Sequence, residues 1–436
     1  MKTNSVDTAD TQDSQASRAQ RHLAAAQLEA GTVPGIATDT PVLAIGSVGI
    51  IGAGTMGGGI AMNFLNAGIP VTLVETSREA LNRGIGIIRR NYENSAARGR
   101  ITQDQVDACM ALITPVLELD ALAGVDLVIE AVFENLALKK TIFQQLDRIC
   151  RPGAILATNT SFLDVDQIAS VTSRPDWILG LHFFSPANVM RLLEIVRGAR
   201  TSREVIATAM ALARKIGKVA VLSGVCHGFI ANRVMATRSV QADALILEGT
   251  DPADVDRAMR DYGFAMGPFQ LADLVGLDVI ASGSSGRTVA GDLVTLGRLG
   301  QKKNGGYYDY DDKRNATASP IAAGVIADAM RARGVERRAA LSPEDILARL
   351  LYPVVNEGVR LLEEGVALRA SDIDVALTLG YSWPAQTGGP MFWADTVGLS
   401  RIVADMDALR GRFGDSFEPT PLLRRLAVQG ARLTQD

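Results

Sequence analysis

Three histidines, His22, His182 and His227, limit any imidazole chemistry in this 436-residue chain to a small set. His182 ends an apolar run at 178–181, Glu194 sits inside another at 192–196, and Asn159-Thr160-Ser161 follow a third at 155–158. Each has a plain structural alternative. A histidine in an apolar strand is more often a core residue than a catalyst, a lone glutamate can face solvent from an edge strand, and Ser161 could cap a helix beginning near Asp164. Taken together they suit the oxidation of an alcohol. A neutral imidazole accepts the hydroxyl proton, a carboxylate orients the ring and stabilises the imidazolium, and a serine hydroxyl holds the reacting oxygen.

Such chemistry needs a hydride acceptor nearby, and the sequence offers a place for one. Gly52-x-Gly54-x-x-Gly57 follows the short apolar run 48–51 and opens a helical stretch at 58–67. The first glycine makes the turn, the second lets the backbone approach a pyrophosphate, and the third allows helix to pack on strand. The helix N-terminus then offers free N–H groups to phosphates. A second strand, 71–75, ends in Glu75, which would accept hydrogen bonds from the adenosine ribose and repel a 2'-phosphate. That favours NAD over NADP.

The elements that must position these residues alternate. Apolar runs at 125–132, 155–158 and 178–184 are separated by helical segments at 78–97, 135–149 and 164–171. This pattern predicts an α/β Rossmann-type domain with a parallel sheet, extended by runs at 192–196 and 219–222 around a helix at 203–216. Open sheets of this kind bind ligands at the carboxyl ends of their strands, where the polar residues above fall. After about Ser223 the strand signal fades. Residues 229–247 and 252–261 read as helices, and so does most of 343–436, whereas 281–341 is loop-rich at first and charged around 311–314. Residues 16–30 form an Ala- and Leu-rich helix that Pro34, Gly35 and Pro41 separate from the apolar run at 48–51.

The helical part repeats itself. Glu248-Gly249, Asp254-Val-Asp256, Tyr262-Gly-Phe264, Gly267-Pro268 and Asp273-Leu-Val-Gly-Leu277 recur in order as Glu364-Gly365, Asp372-Ile-Asp374, Gly380-Tyr381, Gly389-Pro390 and Asp395-Thr-Val-Gly-Leu399, at offsets of 116 to 122 residues. Two related all-α domains are expected. The predicted organisation is a mobile tail and linker helix at 1–45, the nucleotide-binding domain at 46–222, a first helical domain at 223–340 and a second at 341–436. At about 150 residues per domain, the length accommodates this.

Composition excludes other classes. At 47% hydrophobic and 21% charged the chain is globular. A net charge of -4 gives no basic excess for nucleic acid. Cys109, Cys150 and Cys226 are far apart with no paired spacing, which argues against a disulfide framework or a zinc site and for a reducing compartment. The polar N-terminal segment has no apolar stretch of a signal peptide, no 18-residue apolar run exists, and the C-terminal Leu-Thr-Gln-Asp is not a peroxisomal address. A cytoplasmic protein with no membrane insertion and no bound metal is expected. The skew of 36 Arg to 8 Lys suggests a GC-rich bacterial genome.

Five motifs make the chain recognisable. Gly52-Ala-Gly-Thr-Met-Gly-Gly-Gly-Ile60, Glu130-Ala-Val-Phe-Glu-Asn-Leu136, Asn159-Thr-Ser161, Leu181-His-Phe-Phe-Ser-Pro186 and Gly228-Phe-Ile-Ala-Asn-Arg233 resemble the L-3-hydroxyacyl-CoA dehydrogenase family. The resemblance runs from about Ser17 to Leu426 and is nearest to the dehydrogenase half of multifunctional β-oxidation enzymes. Ser17-Arg-Ala-Gln-Arg-His-Leu23 looks like the linker helix after their hydratase domain, which is itself absent. The resemblance implies NAD-dependent oxidation of L-3-hydroxyacyl-CoA to 3-oxoacyl-CoA in fatty acid (lipid) degradation. It makes His182 the general base, Glu194 its partner, and Ser161 and Asn232 the hydrogen-bond donors to the substrate's 3-oxygen. It brings the glycine loop (Gly52, Gly54, Thr55, Met56, Gly57), Glu75, Glu130, Asn135 and Asn159 to the cofactor. Enoyl-CoA hydratase and thiolase become the implied partners, and the state a monomer or homodimer.

Two departures stand out. His227 replaces the family's usual Asp before Gly-Phe-Ile, which implies a local change near the acyl site or the domain joint, or only a surface loop change. Between Val279 and Leu296-Gly-Arg-Leu-Gly-Gln-Lys the chain looks shorter than its relatives, which bears on acyl-chain preference. The shortening motivates an alternative, a catalytically impaired nucleotide-binding relative or a subunit of a split multifunctional complex. A third reading, a hydroxyacid or sugar-acid dehydrogenase, would use a lysine near the helical junction. Lys215 and Lys218 lie there but read as a solvated helix end.

Overall fold

The computed structural model describes residues 14–282, 287–335 and 341–434. The polar segment before residue 14 and most of the Ser/Gly stretch near 283–286 lie outside the described residues. Helix α1 (Gln15–Ala30) starts the described chain, with the Ser14 side chain capping it. The α/β part then runs β1 (Val48–Ile51), α2 (Thr55–Asn66), β2 (Val71–Val74), α3 (Arg78–Ala97), α4 (Gln103–Ala111), β3 (Ile113–Val116), β4 (Leu127–Glu130), α5 (Leu136–Ile149), β5 (Ile155–Thr158), α6 (Val165–Ala169), β6 (Ile178–Phe183), β7 (Leu192–Arg197), α7 (Arg203–Lys215) and β8 (Val219–Ser223).

These eight strands form one sheet in the order β3-β2-β1-β4-β5-β6-β7-β8. The chain reverses direction along the sheet between β1 and β4, the crevice where nucleotides bind in such folds. Strands β3 to β6 run parallel, and β7 pairs antiparallel to β6 with His182 directly opposite Glu194. Strands β1, β4, β5 and β6 are buried throughout, which is why they read as unbroken apolar runs rather than alternating ones. The edge strand β3 and the short α4 ahead of it do not stand out in the sequence. Both are half-exposed, so their apolar periodicity is weak, although Thr102 and Gln105 form a capping box that marks the start of α4.

One boundary moves for a physical reason. Helix α2 begins at Thr55, three residues before the expected start at Gly58. Glycine is a poor helix former, yet a Cβ on Gly57 would fall 1.8 Å from Gly52 O, and one on Gly59 3.1 Å from Ala187. Close packing of the helix on the loop overrides propensity.

The helical part contains α8 (Ala231–Leu247), α9 (Pro252–Tyr262), α10 (Pro268–Val275), α11 (Leu277–Ser282), α12 (Val289–Thr295), the hairpin β9 (Tyr308–Tyr310) and β10 (Ala316–Ala318), and α13 (Pro320–Ala332). It continues with α14 (Pro343–Glu363), α15 (Ala370–Tyr381), α16 (Pro390–Val397), α17 (Leu399–Phe413) and α18 (Pro421–Gln429). The recurring words are recurring local structures. Asp256 accepts from the backbone N–H groups of Phe269 and Gln270 (3.0 and 2.9 Å), so α9 ties down the start of α10. Asp374 does the same for Met391 and Phe392 (2.6 and 3.2 Å). The glycine before each proline leaves room for that carboxylate: a Cβ on Gly267 or Gly389 would lie 2.2 or 2.4 Å from it. Asp273 and Asp395 then each hold two consecutive amides, at Tyr307–Tyr308 and Leu433–Thr434.

The described residues between 287 and 335 carry more regular structure than a stretch expected to be loop-rich at first. Helices α12 and α13 and the β9–β10 hairpin all lie there. The hairpin is held from outside itself, by Asp273 and by Arg298, whose guanidinium donates to Gly306 O, Tyr308 O and Asp309.

Candidate active site

The polar residues converge along the carboxyl edge of β2, β1, β4, β5 and β6. His182, at the fifth position of β6, donates or accepts through Nδ1 at 2.7 Å from Glu194 Oε2, and both side chains are buried. The other carboxylate oxygen, Glu194 Oε1, accepts from the backbone N–H groups of Ile230 and Ala231 at 3.1 and 2.9 Å. Both carboxylate oxygens are thus bonded, one to the imidazole and one to the amides at the start of α8, and the pair holds the ring by Nδ1. Glu194 therefore does not face solvent from an edge strand, and the buried His182 is paired to it.

The turn that aims α8 is strained. Phe229 is buried with a φ of 52°, in the left-handed region that bulky residues avoid, directly after Gly228 at 80°. Its ring meets the edge of His182 at 5.6 Å, and Phe184 lies 4.5 Å from the same imidazole. This strain ends the helix short of its expected start at residue 229. It also places Asn232 in the first turn of α8, one residue after the amides that bind Glu194.

Ser161 sits on the loop after β5. It does not cap α6, because Asp164 does so through Oδ1 to Asp166 N and Gln167 N. Glu134 clamps the loop instead, accepting from Thr160 Oγ1 (2.6 Å), Ser161 N (2.9 Å) and Phe162 N (3.0 Å). Asn159 Oδ1 accepts from Phe183 N at 2.9 Å, tying the loop to the residue after His182. Sequence reasoning missed Glu134; it lies inside the 130–136 motif, and only the fold shows what it grips.

The nucleotide loop meets the test for a dinucleotide. Gly54 is exposed and is the N-cap of α2 with no side-chain cap, and a Cβ there would meet nothing within 4 Å. The open space and the uncapped N–H groups at Thr55 and Met56 fit a pyrophosphate. Gly52 has a φ of 100°, and a Cβ on it would lie 2.8 Å from Ala131 O. Glu75 Oε1 accepts from Ala53 N at 3.2 Å and Oε2 from Thr76 N at 2.7 Å, so the carboxylate is set beside the loop.

Two expected cofactor residues stand differently. Glu130 is fully buried, and its oxygens accept from Lys139 Nζ (2.7 Å), Val132 N (2.7 Å) and Thr158 Oγ1 (2.8 Å). It braces the turns after β4 and β5 rather than reaching into the cleft. Asn135 caps α5, with Oδ1 accepting from Leu138 N at 2.9 Å.

Lys218 is a correction. It is buried, not a solvated helix end, and its ammonium donates to Ala187 O and Met190 O, both at 2.6 Å. Burial pushes its pKa down to about 8. Held by two carbonyls, it shapes the loop after β6, whereas Lys215 is exposed as expected. His227 is exposed and stacks on Phe162, centroids 5.1 Å apart, so this departure links the Ser161 loop to the turn before α8.

Comparison with known proteins matches this architecture. Residues 47–226 match the model for the 3-hydroxyacyl-CoA dehydrogenase NAD binding domain. Residues 228–310 and 346–434 each match the C-terminal domain of the same family. A peroxisomal bifunctional enzyme of Danio rerio is 40% identical over 413 residues, covering 89% of this chain and 57% of that protein. The human protein of the same description is 39% identical, with 88% and 57% covered. The chain thus spans little more than half the length of these curated relatives. Among solved structures, 3-hydroxybutyryl-CoA dehydrogenase from Escherichia coli K12 superposes with a TM-score of 0.76 at 30% identity, over 89% of this chain and 99% of that one. The dehydrogenase part of multifunctional enzyme 1 from C. elegans gives 0.67 at 32%, over 93% and 96%.

Proposed function

The chain belongs to the 3-hydroxyacyl-CoA dehydrogenase family, and on that premise we propose that it interconverts an L-3-hydroxyacyl-CoA and the 3-oxoacyl-CoA. NAD, when bound, supplies the hydride acceptor at the carbon bearing the hydroxyl. The chain's own residues handle the proton and the oxygen. His182 Nε2 takes the hydroxyl proton, Glu194 stabilises the imidazolium that forms, and Ser161 and Asn232 hydrogen-bond the 3-oxygen. The observation that carries this reading is the buried 2.7 Å His182–Glu194 pair, locked by the α8 amides in the same sheet that carries the nucleotide loop. The intact pair also weighs against a catalytically impaired relative.

The substrate would come from an enoyl-CoA hydratase, which adds water across a 2-enoyl-CoA, and a thiolase would consume the 3-oxo product. The free thiols of Cys109, Cys150 and Cys226 support a reducing, cytoplasmic setting. Acetoacetyl-CoA with NADH, followed at the NADH absorbance, tests the activity. Turnover is expected, and the His182→Gln enzyme should turn over about 10² times more slowly or worse while binding NADH normally. A wild-type enzyme silent across several acyl lengths would overturn the proposal.

A further inference from the structure

Tyr381 is the last residue of α15, in the second helical repeat, yet it reaches the catalytic pair. Its hydroxyl donates to Asn232 Oδ1 at 2.6 Å. Its ring meets Phe184 edge-on at 6.3 Å, and Phe184 in turn packs on His182. Burial, with the negative Glu194 adding to it, pushes the phenol's pKa up, so the hydroxyl stays a donor. The neighbouring glycine makes this reach possible. A Cβ on Gly380 would lie 2.7 Å from Leu192 Cδ2 and 3.3 Å from Phe184 Cε1, so glycine lets the end of α15 press against β7 and the site without displacing these side chains. The first repeat also ends this helix on a tyrosine, but Tyr262 turns its ring to Trp393 at 6.4 Å. Equivalent helix ends have taken different tasks.

We propose that Tyr381 is a positioning residue of the dehydrogenase site, which selects the amide orientation of Asn232 that offers its Nδ2 group to the substrate's 3-oxygen. The proposal rests on the proposed role of Asn232 as a donor to that oxygen. An asparagine amide has one accepting and one donating end, and a half-turn exchanges them. The phenol could also accept from Nδ2, but with the amide reversed its own proton would lose the Oδ1 acceptor, so the orientation with Oδ1 toward Tyr381 and Nδ2 toward the substrate is favoured. Without the phenol the amide also populates the reverse orientation, which points a carbonyl oxygen at the oxygen gaining negative charge. The loss then falls on the transition state more than on binding, because the 3-oxygen gains its charge only there.

The test is a double-mutant cycle in the acetoacetyl-CoA assay with Tyr381→Phe, Asn232→Ala and the pair. In the wild-type background Y381F is expected to lower kcat about 10-fold with KM changed less than about two-fold and NADH binding unchanged. In the N232A background the same substitution should change kcat by less than about two-fold. Tyr381→Met, which also removes the hydroxyl, is read in the same cycle if phenylalanine disturbs folding. Wild-type kcat in Y381F, a rise in KM alone, or an equal loss in both backgrounds overturns the positioning role while leaving the dehydrogenase reading intact. An inactive wild type overturns both.

Discussion

At the scale of the residue, the site divides side chains that touch chemistry from those that hold backbone. Glu194→Gln tests the first group. The amide oxygen can still accept from Ile230 and Ala231, but the charge opposite His182 Nδ1 is gone, so kcat should fall about 10²-fold with little change in the thermal midpoint. An equal loss of stability and activity would show that the carboxylate only holds α8. The glycine loop separates the two roles within one motif. Gly54→Val places its side chain where the protein has no atoms, so folding should be normal and NADH affinity should drop more than about 10-fold by fluorescence titration. Gly57→Ala drives a methyl into Gly52 O and should cost about 1–3 kcal/mol of stability or more in denaturant unfolding. His182, Glu194 and Ser161 were legible in the sequence because polar residues at the ends of apolar runs are conspicuous. Glu134 and Tyr381 were not, since their partners, Ser161 and Asn232, lie 27 and 149 residues away. Glu130 and Asn135 were expected at the cofactor, and their roles as a brace and a cap were not legible, because sequence does not show which way a side chain turns.

At the scale of the element, long capped helices and fully buried strands matched their expected bounds: α3 and β5 to the residue, α7 and β7 within one. The short elements α10 to α12 and the β9–β10 hairpin did not stand out, because Asp256, Asp273 and Arg298 hold them from elsewhere in the chain. Helix α13 could have been found, since Ser319 caps it and Pro320 opens it ahead of an alanine-rich run. Helix α1 shows what such outside support is worth. In the first repeat, the buried Asp256 takes its third hydrogen bond from Tyr308 OH at 2.7 Å; in the second, Asp374 takes it from His22 Nε2 at 2.8 Å. The linker helix therefore completes the second repeat, with the His22 ring also stacked 4.6 Å from Phe392. His22→Ala should cost about 2–4 kcal/mol, from a lost partner and a new cavity. Burial pushes the Asp374 carboxyl up to about 6 from 3.8, with His22 and the two amides opposing it. A folded-state pKa above the unfolded one means this group's contribution to stability falls as pH rises from 3.8 through about 6. His22 supports the ionised form, so the H22A penalty, measured by urea unfolding, should be larger at pH 8 than at pH 5. A penalty larger at pH 5 would contradict the assignment.

At the scale of the whole molecule, the two helical repeats are not two independent bodies. One apolar core takes in Val234, Leu245 and Val255 from the first repeat and Val354, Val359 and Ile373 from the second, together with Ala26 and Ala30 of α1, Phe184 just after β6 and Leu192 of β7. Polar crossings reinforce it. Arg233 of α8 bonds Glu357 and Glu364 of the second repeat, and it is the residue after Asn232. Deeper in, Arg349 of α14 is buried, pairs with Glu248 at 2.8 and 3.0 Å, donates to Gln241, and lies 3.9 Å from the Phe413 ring centroid. A duplicated sequence suggests two modules, but the shared core predicts a single cooperative unit. Arg349→Ala removes one side of a buried pair and opens a cavity against Phe413, so it should cost about 3–5 kcal/mol. If the repeats unfold together, urea titration followed by the fluorescence of Trp383 and Trp393, in a Trp177→Phe background that removes the third tryptophan, should keep one transition with an unchanged slope and a lower midpoint. Both tryptophans sit in the second repeat, yet Trp383 packs on Phe264 and Trp393 on Tyr262 of the first, so they report the joint between them. A second transition in R349A, or a smaller slope, would mean that the repeats separate before they melt, and the site built by Asn232 and Tyr381 would then open with them.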